Sequence, residues 1–343
     1  MKYKNKIIAP IFVGSVFLVM LVFYFLYGFA PAQKEVKKTT FLIQRGESFF
    51  DIGANLDEEG IIKSKFSFNI YTLFSRQHSQ ILAGKYLLSP SMDIKTILQK
   101  FILGDIIKEE VTILSGWNLR EIAAELGKQG LITAQEQFFV IAGDPENKTP
   151  AIDFSGDFTF LADKPKSASL EGYLFPDTYE IDSGGGVEFL TKKMLANFGK
   201  KVTSEMQKEI TKQDKTLFEI LTMASIVEKE VRTYQEKQIV AGILWKRLKQ
   251  GWPLQVDSTL DYILDKSSAE LTREDLKSDI PYNTYVKKGL PPGPISSPDI
   301  ESIKATIYYT DSPYWYYLST RSGATIFSKT FEEHKAAKAK YLW

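Results

Sequence analysis

The chain has 343 residues, 44% of them hydrophobic, enough material for two or three compact units with their own cores. A formal net charge of +1 excludes the basic surface that nucleic-acid proteins carry, so no nucleic acid is expected as a partner. The absence of cysteine excludes disulfide frameworks, thiolate metal sites and cysteine nucleophiles together.

The first element is "IIAPIFVGSVFLVMLVFYFLYGFA", Ile7 to Ala30, a run without a charge. At 1.5 Å per residue it is long enough to cross a hydrocarbon core of ~30 Å, and it is predicted to be a transmembrane helix. The "FAPAQ" that closes it carries a faint A-x-A-like pattern, so a cleaved signal peptide is the alternative. Lys2, Lys4 and Lys6 precede the run, and Lys34, Lys37 and Lys38 follow it. The charge count alone leaves orientation open. A short basic tail is the easier end to retain, so residues 1–6 are expected in the cytoplasm and everything after Ala30 outside it.

Residues 31–40 read as a linker, after which the chain repeats itself. "FLIQRGESFFDIGANLDEEGIIKSKFSF" (Phe41 to Phe68) aligns without gaps on "VTILSGWNLREIAAELGKQGLITAQEQF" (Val111 to Phe138). Gly46 matches Gly116, Ile52 matches Ile122, Leu56 matches Leu126 and Gly60 matches Gly130. Each copy is predicted as a strand, a Gly turn, an amphipathic helix and a Gly-terminated cap. These copies resemble LysM-type modules, which bind glycan chains. They are assigned to residues 41–108 and, with a turn-rich connector containing Pro145, Pro150, Gly156 and Pro165, to 109–165. A duplicated packing unit without a ligand is the alternative.

Residues 166–343 are predicted as a separate α/β domain, opening with "SLEGYLFPDTYEI" (Ser169 to Ile181) and a flexible Gly184–Gly186 loop. Within it "LFEILTMASIVEKEV", Leu217 to Val231, is predicted as a helix. At 100° per residue Ile220, Leu221, Ala224, Val227 and Val231 gather in one apolar stripe, and Glu228 falls inside it, with Glu219 and Glu230 on the far side. A carboxylic acid buried among aliphatic groups without a compensating cation holds its proton to higher pH and can deliver it to a leaving oxygen. A structural glutamate satisfied by Arg232 or Lys229 is the competing reading.

Other chemistries are excluded. With two histidines in the chain, His78 and His334, neither flanked by acids at ligand spacing, no metal site is expected and no cofactor is called for. No S-x-x-K or G-x-S-x-G nucleophile motif occurs.

Five segments in order carry a resemblance: "LEGYLFPDTY" (Leu170 to Tyr179), "ASIVEKE" (Ala224 to Glu230), "PLQVDSTLDYIL" (Pro253 to Leu264), "IPYNTYVKKGLPPGPISSP" (Ile280 to Pro298) and "FSKTFEEH" (Phe327 to His334). Together they resemble the MltG/YceG family of membrane-anchored endolytic murein transglycosylases. The resemblance implies that the first glutamate of "EKE", Glu228, is the catalytic residue. It also implies cleavage of the MurNAc–GlcNAc bond inside nascent peptidoglycan strands. Glu228 would protonate the glycosidic oxygen and then take the proton of the MurNAc C6 hydroxyl as a 1,6-anhydro ring closes, so a second carboxylate is not needed.

Gln255, Asp257, Asn283, Thr284 and Tyr285 stand at motif positions and are expected to bind substrate, with loop capping and Asx turns as the alternative. Trp315 and Tyr317 could stack on sugar rings or belong to the core. The sequence departs from the family at Asp257-Ser258-Thr259, where "D-P-T" is common, and at "GATIFS" (Gly323 to Ser328), where a histidine is common. The implied partners are peptidoglycan glycan strands and the peptidoglycan synthases, glycosyltransferases and penicillin-binding proteins, that make them. The expected place is the plasma membrane, single-pass, with the catalytic domain extracytoplasmic. The fold class expected is α+β: a transmembrane helix, small LysM-like units and a mixed α/β catalytic domain. The alternatives are a hydrolytic muramidase and a non-catalytic glycan-binding scaffold.

Overall fold

In a computed structural model of the chain, residues 18–341 are described apart from 21, 35, 45, 145–148, 183–185, 321 and 322. The fold is a mixture of helices and small two-stranded sheets, and the chain divides into two compact units, Met1–Glu110 with Glu180–Gly185 and Val111–Tyr179 with Gly186–Trp343. No helix among the described residues is long and apolar enough to cross a membrane. Half of the expected span Ile7–Ala30, residues 7–17 and 21, lies outside the described residues, as does the tail 1–6.

In the first unit β1 (Thr39–Ile43) and β2 (Gly84–Leu88) form an antiparallel ribbon in which Phe41 faces Tyr86. Between them run α2 (Phe49–Glu58) and α3 (Lys65–Phe74), each opened by a serine cap, Ser48 or Ser64, whose hydroxyl accepts a first-turn N–H. The helix α4 (Ile94–Leu103) follows, capped by Asp93 and stopped by Gly104 at φ 65°. Phe41, Ile52, Leu56, Phe68, Tyr86, Leu88, Ile97 and Phe101 make the core. The end of the N-terminal apolar run is helical, α1 (residues 22–29), and closes against this core through Phe29, whose ring meets Tyr71 edge-on at 5.0 Å.

The two repeat copies follow the same local course. Gly46 and Gly116 turn the chain at φ 84° and 77°. At the helix ends the N–H of Ile61 bonds to Leu56 O and that of Leu131 to Leu126 O, both at 2.9 Å, across Gly60 and Gly130 in the left-handed conformation. That is the glycine-terminated cap the sequence spacing predicts. The second copy, β3 (Lys108–Thr112) and α5 (Leu119–Lys128), lies from Val111 onward in the second unit. Strand β3 pairs with β4 (Thr178–Asp182).

The second unit, which also holds α6 (Glu136–Ala142) and α7 (Gly186–Lys201), is organised around α9 (Leu217–Glu230). It packs against α10 (Tyr234–Lys249) and α12 (Ile300–Ile307), and the shorter helices α8 (Ser204–Lys212) and α11 (Ser258–Leu264) complete its surroundings. Capping boxes open α9, at Thr216 and Glu219, and α10, at Thr233 and Glu236. Every residue of α9 from Ile220 to Val227 is buried. The helix is thus enclosed on all sides, where a single apolar stripe was expected. A hairpin of β5 (Tyr316–Ser319) and β6 (Thr325–Ser328), backed by α13 (Phe331–Tyr341), lies beside its C-terminal end, where Tyr317 and Ser319 reach Glu230.

Two buried features tie these elements together. Gly242 of α10 lies against the backbone of the 308–311 segment, where the N–H of Thr310 bonds to Gln238 O at 3.1 Å. A Cβ at position 242 would stand 2.1 Å from Thr310 O. In the "LEGY" segment Glu171 is 2% exposed, its Oε2 accepts the N–H of Leu119 at the start of α5 at 3.1 Å, and its Oε1 has no partner. Burial pushes its carboxyl from the ordinary 4.5 up to about 8, against the opposing pull of the Leu119 N–H, Tyr262 and Arg120.

Gly242→Ala is expected to destabilise the fold by about 2 kcal/mol or more, since the blocking atom is backbone and the helix must shift; urea unfolding measures it. Between its unfolded and folded pKa values Glu171 is protonated in the folded chain and ionised in the unfolded one, so folding takes up a proton and stability falls as pH rises through that window. Across about pH 5 to pH 8 the melting temperature of the wild type is expected to fall relative to that of Glu171→Gln, which keeps an acceptor for Leu119 but does not titrate.

Candidate active site

Helix α9 ends in two glutamates two residues apart. Side chains at i and i+2 point to different faces of a helix, so the same turn places two carboxylates in different surroundings.

Glu228 faces the first turn of α12. Its Oε2 lies 3.2 Å from Lys237 Nζ and accepts the N–H of Asp299, the N-cap of α12, at 3.2 Å. The same oxygen accepts a short hydrogen bond from Ser302 Oγ. Lys237 bridges on to both Asp299 oxygens at 3.2 Å, and Asp299 accepts the N–H of Ser302 at 2.6 Å. The Lys237 and Glu228 side chains are 4% and 9% exposed. This is a satisfied buried charge network that also caps α12. Beside the family resemblance, Glu228 as proton donor requires, on physical grounds, burial without a compensating cation. Lys237, from the next helix, is such a cation, and neither Arg232 nor Lys229 fills that place; Lys229 donates instead to Gly116 O at 3.2 Å.

Glu230, expected on the far side of the helix, faces a polar recess instead. It accepts hydrogen bonds from Ser258 Oγ, at the start of α11, at 2.8 Å and from Tyr317 OH, on β5, at 3.1 Å. Ser319 Oγ, two residues further along β5, reaches its backbone carbonyl at 3.4 Å. The residue taken as a whole is partly exposed. Burial raises the Glu230 pKa; the bonds from Ser258 and Tyr317 oppose the rise and the neighbouring carboxylates of Asp257 and Asp261 reinforce it. Burial, and next the charge of Glu230, hold the Tyr317 phenol protonated.

The other predicted residues divide into two groups. Asp257 stands next to Ser258, and its Oδ1 accepts the phenol of Tyr285 at 2.6 Å, so these two join the Glu230 recess. Gln255 is exposed on the same segment at φ 55°, a backbone conformation that a non-glycine residue seldom adopts and that recurs at functional sites. It is held there by Gln255 N to Thr284 O at 3.0 Å and Val256 N to Thr284 Oγ1 at 3.1 Å. Asn283 and Thr284 themselves are buried and spend their polar atoms on the protein. The Asn283 amide donates to Asp275, Leu276 and Ser278 carbonyls and its oxygen accepts from Tyr285 N. The Thr284 hydroxyl meets Val256 and Thr259. They shape the loop that presents Gln255 and Asp257. Among the described residues no group of three or more His, Asp or Glu is arranged to hold a metal ion.

The direction of Glu230 differs from the one that periodicity predicts. The signal available was the unbroken burial-prone run Ile220–Val227, which denies the helix any solvent side and so makes the direction of every polar residue on its last turn a question of its neighbours.

Comparison with known proteins places this arrangement in a family. Residues 41–340 match the model of the YceG-like family. An endolytic murein transglycosylase of Bacillus subtilis (strain 168) is 31% identical over 325 residues, covering 93% of this chain and 90% of that protein. One from Streptococcus pneumoniae serotype 2 is 30% identical over 342 residues, covering 93% of this chain and 61% of its own length. The crystal structure of a yceG-like protein from Listeria monocytogenes superposes with a TM-score of 0.60 at 31% identity, covering 89% of this chain and all of that one. With the match running from the first strand almost to the C-terminus, the chain belongs to the YceG-like family.

Proposed function

We propose that this chain is a lytic transglycosylase of peptidoglycan, cutting the MurNAc–GlcNAc bond inside glycan strands, and that Glu230 is its acid and then its base. The observation that carries this reading is the setting of Glu230: a carboxyl with a raised pKa, oriented by Ser258 and Tyr317, on a residue that is not wholly buried. The names of the relatives from Bacillus subtilis and Streptococcus pneumoniae support the substrate class.

The chemistry balances with one carboxyl. Protonated Glu230 gives its proton to the glycosidic oxygen as the bond to the MurNAc anomeric carbon breaks. The resulting carboxylate takes the proton of the C6 hydroxyl while that oxygen closes the 1,6-anhydro ring, and the enzyme returns to its starting state without consuming water. Since the nucleophile belongs to the sugar, positioning replaces the second catalytic carboxylate of a hydrolase. Asp257, pinned by the Tyr285 phenol, supplies fixed negative charge beside the developing oxocarbenium ion and holds the Glu230 pKa up. Gln255 offers its amide to sugar hydroxyl or acetamido groups, and Asn283 and Thr284 act through the loop that they brace. Glu228 is retained as the structural member of the pair, joining α9, α10 and α12.

The apolar run Ile7–Ala30 would tether the enzyme to the plasma membrane with the site outside the cytoplasm, where the synthases release new strands, and the repeat copies would guide the glycan. A hydrolytic muramidase, the second reading, is favoured by the closeness of Asp257 to Glu230, because hydrolysis needs a second carboxylate to activate water.

Mass spectrometry of digested glycan strands separates these readings: anhydro ends are expected, and reducing ends would establish hydrolysis. Glu230→Gln is expected to lower anhydro-end formation by roughly 10²–10⁴-fold with an unchanged melting curve. Lys237→Met, which leaves the buried Glu228 and the half-buried Asp299 without their cation, is expected to cost about 3–5 kcal/mol of stability in urea unfolding. If Glu228→Gln folds like the wild type yet yields no anhydro ends while Glu230→Gln remains active, the proton donor is Glu228.

Tyr317→Phe removes a hydrogen bond that favours the ionised Glu230, so Glu230 keeps its proton to higher pH. The alkaline limb of the pH–rate profile is expected to move upward in this variant while the maximal rate falls.

A further inference from the structure

The proposed reaction uses one end of β5 and leaves the other unexplained. Trp315 immediately precedes β5 and continues its ladder, its N–H bonding to Ser328 O at 3.0 Å. Side chains alternate along a strand, so Trp315, Tyr317 and Ser319 share a face. Tyr317 and Ser319 both reach Glu230, so Trp315 lies about 7 Å along the same face from the residue that touches the acid.

Against Trp315 stands Trp252, with ring centroids 4.6 Å apart and planes at 37°. Trp252 belongs to the segment that continues into Gln255 and Asp257, and it is 41% exposed. An exposed tryptophan forgoes much of the stabilisation that its area would give in a core, and a paired one on a fixed backbone presents a flat apolar surface. The pair is rigidly mounted. The buried Arg247 guanidinium donates from Nε (3.1 Å) and Nη2 (2.7 Å) to Trp315 O and from Nη1 to Leu254 O, fastening both segments to α10. The N–H of Trp252 bonds to Arg247 O at 2.8 Å, and Lys246 Nζ sits 4.6 Å from the Trp315 ring centre while donating to Ser312 O at 2.8 Å.

We infer that the Trp252–Trp315 pair is a sugar-binding platform, stacking the apolar face of a pyranose ring of a β-linked N-acetylhexosamine chain next to the residue cleaved at Glu230. Trp252 offers the open face and Trp315 backs it. In a β-linked N-acetylglucosamine-type ring every ring substituent is equatorial, so each face presents axial C–H groups that an aromatic ring accepts without hydrogen bonds to the hydroxyls. The platform therefore holds a polymer in register and leaves the choice of bond to Glu230, Asp257 and Gln255. The cleavage part of this inference rests on the transglycosylase reading; binding to the platform does not.

The test uses the full chain in detergent. Calorimetric titration with chitohexaose measures binding, and steady-state cleavage of uncrosslinked glycan strands measures turnover. Trp252→Ala is expected to weaken chitohexaose binding roughly tenfold and to raise KM for strands by a similar factor with kcat little changed, while Trp252→Phe restores most of both. Because Trp252 is largely at the surface, the alanine variant is expected to melt like the wild type. Binding and KM equal to the wild type's in Trp252→Ala, or a wild type that does not bind chitohexaose, would overturn the platform. Weakened binding in Trp252→Ala together with a wild type that forms no anhydro ends would sustain the platform and remove the transglycosylase reading.

Discussion

Helix α9 has no solvent side between Ile220 and Val227, and this burial sets the terms for the second unit. A helix enclosed in this way needs a partner for each polar group where it emerges, because an unpaired buried charge costs more than any single contact returns. Its last turn meets that demand twice. On one face Lys237, Asp299 and Ser302 close around Glu228 and thereby fix α10 and α12 to α9. On the other, Ser258 and Tyr317 reach Glu230 and bring α11 and β5 to the same place. The elements that carry the site are thus gathered by the same requirement that stabilises the core.

Neutral hydroxyl donors and an ammonium do different things to a carboxyl. Ser258 and Tyr317 orient Glu230 while leaving burial and the nearby Asp257 and Asp261 to raise its affinity for a proton. In the proposed reaction such an acid gives its proton to a sugar oxygen and takes one back. Around it the supporting residues are buried and rigid: Thr284 and Asn283 fix the loop that carries Gln255 and Asp257, and Arg247 fastens that loop to the strand opposite. The site is mounted on hydrogen bonds between backbone segments, so its geometry does not depend on the long side chains at the surface.

The fold was legible where local rules act alone. The glycine pairs Gly46–Gly116 and Gly60–Gly130 announced the same turn and the same helix cap in both copies, and the structure has them in left-handed conformation. The end of α9 was legible as to chemistry and not as to direction. A helical wheel assumes one buried stripe, and with burial all round the wheel has no pole to refer to. Two carboxylates separated by one lysine were visible in the sequence; that Lys237, nine residues on, would neutralise one of them depends on the turn that brings α10 back along α9. Asn283 and Thr284 illustrate the same limit: polar residues in a Gly- and Pro-rich loop look alike in sequence whether they face a ligand or a carbonyl.

The division of labour between the two glutamates follows from lone-pair geometry. One Glu228 oxygen already faces an ammonium, a backbone N–H and a hydroxyl. All three converge on Oε2 and tie the end of α9 to α10 and α12. Glu230 is bound by two hydroxyl groups, which can rotate and can act as donor or acceptor as the carboxyl changes its protonation state. A group that must cycle between acid and base in each turnover needs neighbours that tolerate both forms. In the proposed reaction Glu230, held by hydroxyl groups alone, is that group.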